Sequence, residues 1–234
     1  MELVGYILAV FIGVSLGLIG SGGSILTVPL LVYLFHISPV LATTYSLAIV
    51  GLSSIAGVIS RIKQKLVDFK TIFFFGIPSI IGVFSSRKFL LPALPEQIYQ
   101  GTHMLLTKSH FIMLFFATLM LVAAISMITG KNNKEQEDVI PVYGGGLLLV
   151  GFLEGSLTGI VGAGGGFLII PALVLLAKLP MKRAIATSLV IISIKSLVGF
   201  TGDLWHVTLD GSFLFKIIIL ATLGIIIGLS LIHI

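Results

Sequence analysis

Long apolar runs alternate with short polar segments along nearly the whole chain. Four runs hold no charge, or one charge near an end, and they cover residues 3–19, 40–60, 111–129 and 213–232. Each run is long enough for a helix that crosses about 30 Å of hydrocarbon. The pattern predicts an all-α fold, a polytopic membrane helical bundle.

Composition indicates that lipid surrounds most of the protein. Hydrophobic residues make up 57% of the chain and charged residues 10%, with a mean hydropathy of +1.19, whereas soluble domains carry about 25% charged residues. The net charge of +5 lies largely in short loops between apolar runs, as topology signals do, so no nucleic-acid partner is expected.

The residue types that bind metals and cofactors are scarce. The chain has no cysteine, which excludes disulfides, thiolate catalysis and sulfur-ligated metals. Four histidines lie in or near loops without ligand spacing, and they are His36, His103, His110 and His206. No metal and no cofactor is predicted.

An internal repeat organises the chain. Residues 13–57 align without a gap with residues 155–199, at an offset of 142 residues. The first copy reads Gly-Leu-Ile-Gly-Ser-Gly-Gly-Ser-Ile-Leu-Thr-Val-Pro from Gly17, and the second reads Gly-Ile-Val-Gly-Ala-Gly-Gly-Gly-Phe-Leu-Ile-Ile-Pro from Gly159. Chance similarity between apolar segments would not match glycine with glycine and proline with proline.

Each copy is predicted to contain a first helix, a short helix, a long helix and a fourth helix. The bounds are 3–19, 25–35, 40–60 and 71–86 in the first copy, and 142–161, 167–177, 184–201 and 213 onward in the second. We assign residues 1–130, with a fifth helix over 111–129, to the first repeat, residues 131–141 to a polar linker and residues 142–234 to the second repeat. The offset would place a fifth helix of the second repeat beyond the last residue, so either the two halves differ or the chain is truncated at its C-terminus, and we favour truncation.

Basic residues indicate that the two repeats have opposite orientations. Those of the first copy follow its long helix, and they are Arg61, Lys63, Lys65 and Lys70. Those of the second copy precede its long helix, and they are Lys178, Lys182 and Arg183. Because basic loops stay cytoplasmic, inverted repeats are predicted. The segment 87–110 is discordant, since Arg87, Lys88 and Lys108 fall on the outer side in this arrangement.

The glycine clusters at residues 20–24 and 162–166 are predicted to interrupt helices near the membrane centre. The helix over residues 25–35 reaches about 16 Å, only half a bilayer. Glycine permits positive φ angles, and a restarting helix presents free N–H groups and a positive dipole end. Two such breaks predict a site for a small anion, and its residues are Gly20, Ser21, Gly22, Gly23, Ser24, Gly162, Gly164, Gly165 and Gly166.

Close helix packing is the alternative role for glycine. We favour it for four glycines with the GxxxG spacing of tight helix crossings, and they are Gly13, Gly17, Gly155 and Gly159. For the clusters themselves we favour the anion site.

Ionisable residues inside the apolar runs are further candidates. Lys195 lies mid-helix, where a charge costs at least about 2.5 kcal/mol and normally faces a cavity or a partner. We expect it to contact the anion or to form an ion pair. Glu154 is the candidate for carrying a coupling proton, with a structural pair to Lys195 or a backbone donor as the alternative. Ser46, Thr187 and Ser188 are hydroxyl donors to the anion or helix-packing groups.

The paired motifs, followed in the second copy by Leu-Pro-Met-Lys-Arg-Ala-Ile-Ala-Thr-Ser-Leu, resemble the sulfite exporter (TauE/SafE) family of bacterial permeases. The resemblance covers nearly the whole chain. It implies transport of small sulfur-containing anions, of the sulfite, sulfonate or thiosulfate class, across the bacterial cytoplasmic membrane. One departure is Ser24, which stands where a third glycine is usual in the motif.

A secondary transporter is therefore the predicted function, with the lipid bilayer and a small anion as partners. A membrane-embedded enzyme would need a catalytic cluster such as HExxH or paired carboxylates, and the sequence has none. A scaffold subunit of a membrane complex is the other alternative, and it would leave both glycine clusters unexplained.

Overall fold

The computed structural model describes residues 2–19, 23–100, 105–129, 145–205 and 207–232, and the structural statements below concern these residues. The helices are α1 (Glu2–Ile19), α2 (Ser24–Tyr33), α3 (Pro39–Lys63), α4 (Phe69–Ala93), α5 (Lys108–Thr129), α6 (Gly145–Val161), α7 (Gly166–Leu175), α8 (Met181–Asp203) and α9 (Gly211–Ile232). The chain is a helical membrane bundle, as predicted, and five of these helices are long and apolar enough to cross a membrane.

The segment between α4 and α5 differs from the prediction. Helix α4 does not end at residue 86 but continues to Ala93, through π-helical turns at Ile72–Gly76 and Ser86–Leu90. Strands β1 (Gln97–Gln100) and β2 (Leu105–Thr107) then form an antiparallel hairpin. Arg87 and Lys88 follow an apolar run, and the helix was therefore predicted to end before them. In the structure the helix includes both residues.

The starts of α4 and α9 are built in the same way, at positions related by the offset of 142. The carboxylate of Asp68 accepts hydrogen bonds from the N–H groups of Lys70 and Thr71, and that of Asp210 accepts from the corresponding residues at the start of α9. Such N-caps satisfy donors that a helix start leaves free. The N–H of Asp68 donates to Thr187 Oγ1 at 3.0 Å, and that of Asp210 to Tyr45 Oη at 2.7 Å.

Helices α3 and α8 pack against each other at the centre of the bundle. In their most apolar stretches, 72% and 67% of the residues are buried, against 22% for α5 and 28% for α9. The outer helices expose large apolar side chains, among them Phe11, Phe73 and Phe215. A surface of this kind fits the hydrocarbon of a bilayer rather than water.

Glycines let the peripheral helices pack closely. A Cβ atom added at Gly13 of α1 would overlap the carbonyl oxygen of Ala221 in α9, and one at Gly155 of α6 would overlap that of Ser79 in α4. These four positions again correspond under the offset of 142. The packing role predicted for the GxxxG glycines is confirmed.

Candidate functional site

The second glycine cluster is a buried, non-helical break between α6 and α7. Helix α6 ends at Val161 and α7 begins at Gly166. Gly162, Gly164 and Gly165 have φ angles of 70°, 66° and 70°, a conformation that side chains with a Cβ rarely adopt. In a membrane protein, irregular backbone of this kind is tolerated where protein surrounds it or a cavity adjoins it.

The break leaves backbone donors at the start of α7. The N–H of Gly162 donates to the Thr158 carbonyl at 2.8 Å, and the N–H groups of Leu168 and Ile169 donate to the Gly165 carbonyl. Among the described residues, the N–H groups of Gly164 and Gly165 have no acceptor. They lie at the positive end of the α7 dipole, where an anion is stabilised.

An ion pair between Glu154 of α6 and Lys195 of α8 lies against one end of the break. Lys195 Nζ is 2.5 Å from Glu154 Oε1 and donates to Thr158 Oγ1 at 3.1 Å, while Ser79 of α4 donates to Glu154 Oε2 at 2.7 Å. The Lys195 side chain is fully buried and that of Glu154 is 5% exposed. A Cβ atom at Gly165 would overlap Glu154, Thr158 and Lys195.

The other end of the break contacts a second buried ion pair, between Arg87 of α4 and Asp203 of α8. Arg87 Nη1 lies 2.7 Å from Asp203 Oδ2 and donates to Thr43 Oγ1 at 3.1 Å. Thr44 donates to the same Asp203 oxygen at 2.7 Å. A Cβ atom at Gly162 would overlap Arg87 Nη2 and Thr43. The break therefore lies between two ion pairs.

The predicted helices 71–86 and 184–201 end before Arg87 and Asp203, and both of these ends are wrong. Arg87 lies within α4 and is fully buried, and Asp203 is the last residue of α8 and 4% exposed. Each charge lies near the end of an apolar run, and in sequence a charge at that position indicates the boundary between a membrane helix and a loop. Six residues, Lys88–Ala93, follow Arg87 in α4 and include the apolar run Phe89–Leu91, and this continuation of the apolar pattern is the signal that could have placed Arg87 inside a helix.

Among the three predicted hydroxyl groups, that of Ser46 has no partner elsewhere in the described structure. Ser46 Oγ is buried and has no hydrogen-bond partner among the described residues. It lies one turn after Thr43 on α3, and the same helix contacts Gly164 through Val50. Ser196 Oγ of α8, also buried and without a partner in the described structure, is next to Gly164.

The hydroxyl groups of Thr187 and Ser188 have partners elsewhere. Thr187 Oγ1 accepts from the N–H of Asp68, in the loop before α4, and Ser188 Oγ donates to the Ile185 carbonyl at 2.9 Å. Neither contact involves the break, so the structure does not bring these two predicted residues to it.

The first glycine cluster lies mostly outside the described residues, because Gly20, Ser21 and Gly22 are among those not described. Gly23 and Ser24 are buried, and a Cβ atom at Gly23 would overlap backbone atoms of α1. The offset of 142 relates Glu154 to Ile12 and Lys195 to Ser53. The ion pair at the second break thus has no charged counterpart at the first.

Comparison with known proteins agrees with this architecture. The chain matches the family Sulfite exporter TauE/SafE over residues 6–234. It is 27% identical over 212 residues to a probable membrane transporter protein of Xylella fastidiosa, covering 89% of this chain and 76% of that protein. It is 30% identical over 210 residues to the probable membrane transporter protein YunE of Bacillus subtilis, covering 83% of this chain and 76% of that one.

A probable membrane transporter protein of Methanocaldococcus jannaschii is 27% identical over 204 residues, which is 82% of this chain. No solved structure matches the chain. The family match and these names, together with helices long enough to cross a bilayer, indicate a multi-pass membrane transporter. The match extends over nearly the whole chain, which belongs to the sulfite exporter TauE/SafE family.

Proposed function

We propose that this transporter moves a small sulfur-containing anion, of the sulfite, sulfonate or thiosulfate class, across the cytoplasmic membrane of a bacterium. The family description supports the substrate class. The observation that carries the proposal is the buried break at Gly162–Gly166, with free backbone donors at the start of α7 and a cation against each end.

Interactions at the break must replace the hydration that the anion loses. An anion that enters the bilayer gives up water, and fixed dipoles or cations must replace those interactions. The N–H groups of Gly164 and Gly165 are such dipoles, and Lys195 Nζ lies against Gly165. Lys195 thus supplies the countercharge of the bound anion, which is the first of the two roles expected from the sequence.

Charge balance leads to a coupling role for Glu154. The Glu154–Lys195 pair is neutral as a whole, so an anion bound beside it would add an uncompensated negative charge. A proton on Glu154 removes the carboxylate charge and leaves Lys195 free to balance the anion. One proton on Glu154 would therefore balance one negative charge of the anion, and transport would follow the proton gradient.

The first glycine cluster is proposed to complete the site from the opposite repeat. Its residues Gly20, Ser21, Gly22, Gly23 and Ser24 correspond under the offset to residues 162–166. With Ile12 and Ser53 in place of the ion pair, this half would contribute backbone donors and hydroxyl groups but no charge.

Uptake of radiolabelled sulfite into proteoliposomes tests the proposal. We expect uptake above that of protein-free liposomes, faster with an acidic exterior, and inhibited by unlabelled sulfonate or thiosulfate. The Glu154→Gln variant should keep exchange of labelled for unlabelled sulfite but lose the acceleration by the proton gradient.

Two outcomes would overturn the proposal separately. Uptake no faster than in protein-free liposomes, for sulfite, sulfonate and thiosulfate alike, would exclude the substrate class. Unchanged acceleration by the gradient in Glu154→Gln would exclude Glu154 as the proton carrier and leave the substrate class intact.

A further inference from the structure

Arg87 has an unused hydrogen-bonding edge inside the protein. Its Nη1 atom donates to Asp203 and Thr43, whereas its Nε and Nη2 atoms are buried and have no partner among the described residues. A buried donor without a partner destabilises the folded state, and more so when it is charged. Two such donors on a fully buried arginine therefore lower the stability of the fold, unless a ligand accepts hydrogen bonds from them.

The two unused atoms are neighbours on the guanidinium plane. The N–H bonds of Nε and Nη2 point in parallel from the same edge, and such a fork matches two oxygens of one oxyanion. The ammonium group of Lys195, in contrast, is a point charge already engaged by Glu154 and Thr158. Of the two cations that the described structure places at the break, Arg87 is the one that offers a fork.

The local backbone directs this edge toward the break. Arg87 lies in the π-helical turn Ser86–Leu90, and single π-helical turns often occur at functional sites, because the extra residue shifts the side chains around the helix. Nη2 lies so close to Gly162 that a Cβ atom there would overlap it. The hydroxyl of Ser46, also buried without a partner, lies one turn along α3 from Thr43.

We propose that the Nε–Nη2 edge of Arg87 binds two oxygens of the transported anion and selects oxyanions over halides. Asp203 and Thr43 hold the guanidinium in place through Nη1, and the fork receives the anion beside Gly162. This assignment rests on the proposed function, since it specifies how the same site recognises its substrate. Arg87 is thereby a specificity-determining residue, and Lys195 the countercharge.

Arg61 provides a matched control. It is also a buried arginine whose Nε has no partner in the described structure, but it lies near the end of α3 and donates to Gln64. The offset relates it to Asp203, not to Arg87. If the replacement of any buried arginine impairs uptake, the variants at both positions will be impaired. If uptake depends on the anion fork, only the variant at Arg87 will be impaired.

The experiment compares sulfite uptake by wild type, Arg87→Lys and Arg61→Lys in proteoliposomes, with methanesulfonate or bromide as competitor. Lysine at position 87 keeps the charge for Asp203 but loses the fork. We expect the sulfite concentration for half-maximal uptake to rise about tenfold or more in Arg87→Lys, competition by methanesulfonate to weaken, and competition by bromide to stay unchanged. Arg61→Lys should resemble wild type in all three.

A second variant covers the case in which Arg87→Lys does not fold. In Arg87→Gln/Asp203→Asn the ion pair is replaced by neutral groups that can still hydrogen-bond. A purely structural pair predicts wild-type sulfite affinity in this variant, and the fork predicts its loss.

The outcomes separate this inference from the proposed function. Wild-type uptake of sulfite with unchanged affinity in Arg87→Lys, or in the double variant, overturns the fork and leaves the transporter in place. Equal competition by bromide and methanesulfonate in wild type also overturns it, without any variant. Absence of sulfur-oxyanion uptake in wild type would instead overturn the proposed function.

Discussion

Lys195 Nζ lies 2.5 Å from Glu154 Oε1, and both atoms lie against the backbone of Gly165. The only residue type that fits at position 165 without displacing this pair is glycine, which is also the one that adopts its φ of 70° at little cost. The buried charges and the helix break therefore form one structural unit. The predictions below separate their contributions.

Removing one charge of this pair should destabilise the protein far more than removing both. Lys195→Met leaves Glu154 buried without its partner, which costs about 3–5 kcal/mol of unfolding free energy. Lys195→Met/Glu154→Gln should recover most of that loss, because no unpaired charge remains. Thermal unfolding of the purified protein in detergent measures both variants, and equal melting temperatures for the single and double variants would contradict the account.

Bulk at the glycine break should stop transport without preventing insertion. The backbone at Gly164 has a φ of 66°, which residues with a Cβ rarely adopt, and a Cβ there would lie 3.0 Å from Val50. We therefore expect Gly164→Leu to be inactive in sulfite uptake. Gly145→Leu is the control, since a Cβ there has no neighbour within 4 Å. Gly22→Leu should also be inactive. Normal uptake by Gly22→Leu would restrict the site to the second break.

The residues of this site differ in how far the sequence predicts them. Lys195 and Glu154 stand out because each is a charge in the middle of an apolar run, and a partner is then nearly obligatory. Their mutual pairing was one of the alternatives, and the structure contains it. Arg87 and Asp203 were missed, because charges near the ends of apolar runs have the same pattern whether they are paired inside or free in a loop.

The starts of two helices can also be predicted from single acidic residues. The first residues of α4 and α9 follow the aspartates that cap them, so the repeated aspartate signals both starts. The hairpin of β1 and β2 was missed since its polar residues carry the pattern of any loop. For Thr187 the sequence left two roles open, because a buried hydroxyl in sequence does not reveal whether its partner is a ligand or, as here, the N–H of Asp68.

The inverted arrangement of the two repeats remains a prediction, and the absence of cysteine makes it simple to test. Ser38 and Pro180 correspond under the offset, and each is an exposed residue directly before a long helix. Inverted repeats place them on opposite sides of the membrane. We expect a membrane-impermeant thiol reagent, added to intact cells, to label Ser38→Cys but not Pro180→Cys, whose loop is basic.

Permeabilised cells serve as the control, because both variants should then be labelled. Labelling of both cysteines in intact cells, or of neither, would mean that the repeats are parallel. The positions of Lys88 and Lys108, rather than the basic loop before α8, would then have been the correct guide to topology.

The central claim is that a sulfur-containing anion binds at the second break with Lys195 as its countercharge. The most direct test is the uptake of radiolabelled sulfite into proteoliposomes by wild type, Lys195→Ala and Lys63→Ala, each at equal reconstituted amounts of folded protein. Lys63 is exposed and is the last residue of α3, so Lys63→Ala should match wild type. The account predicts a lower affinity for sulfite in Lys195→Ala, and wild-type affinity and rate in that variant would contradict it.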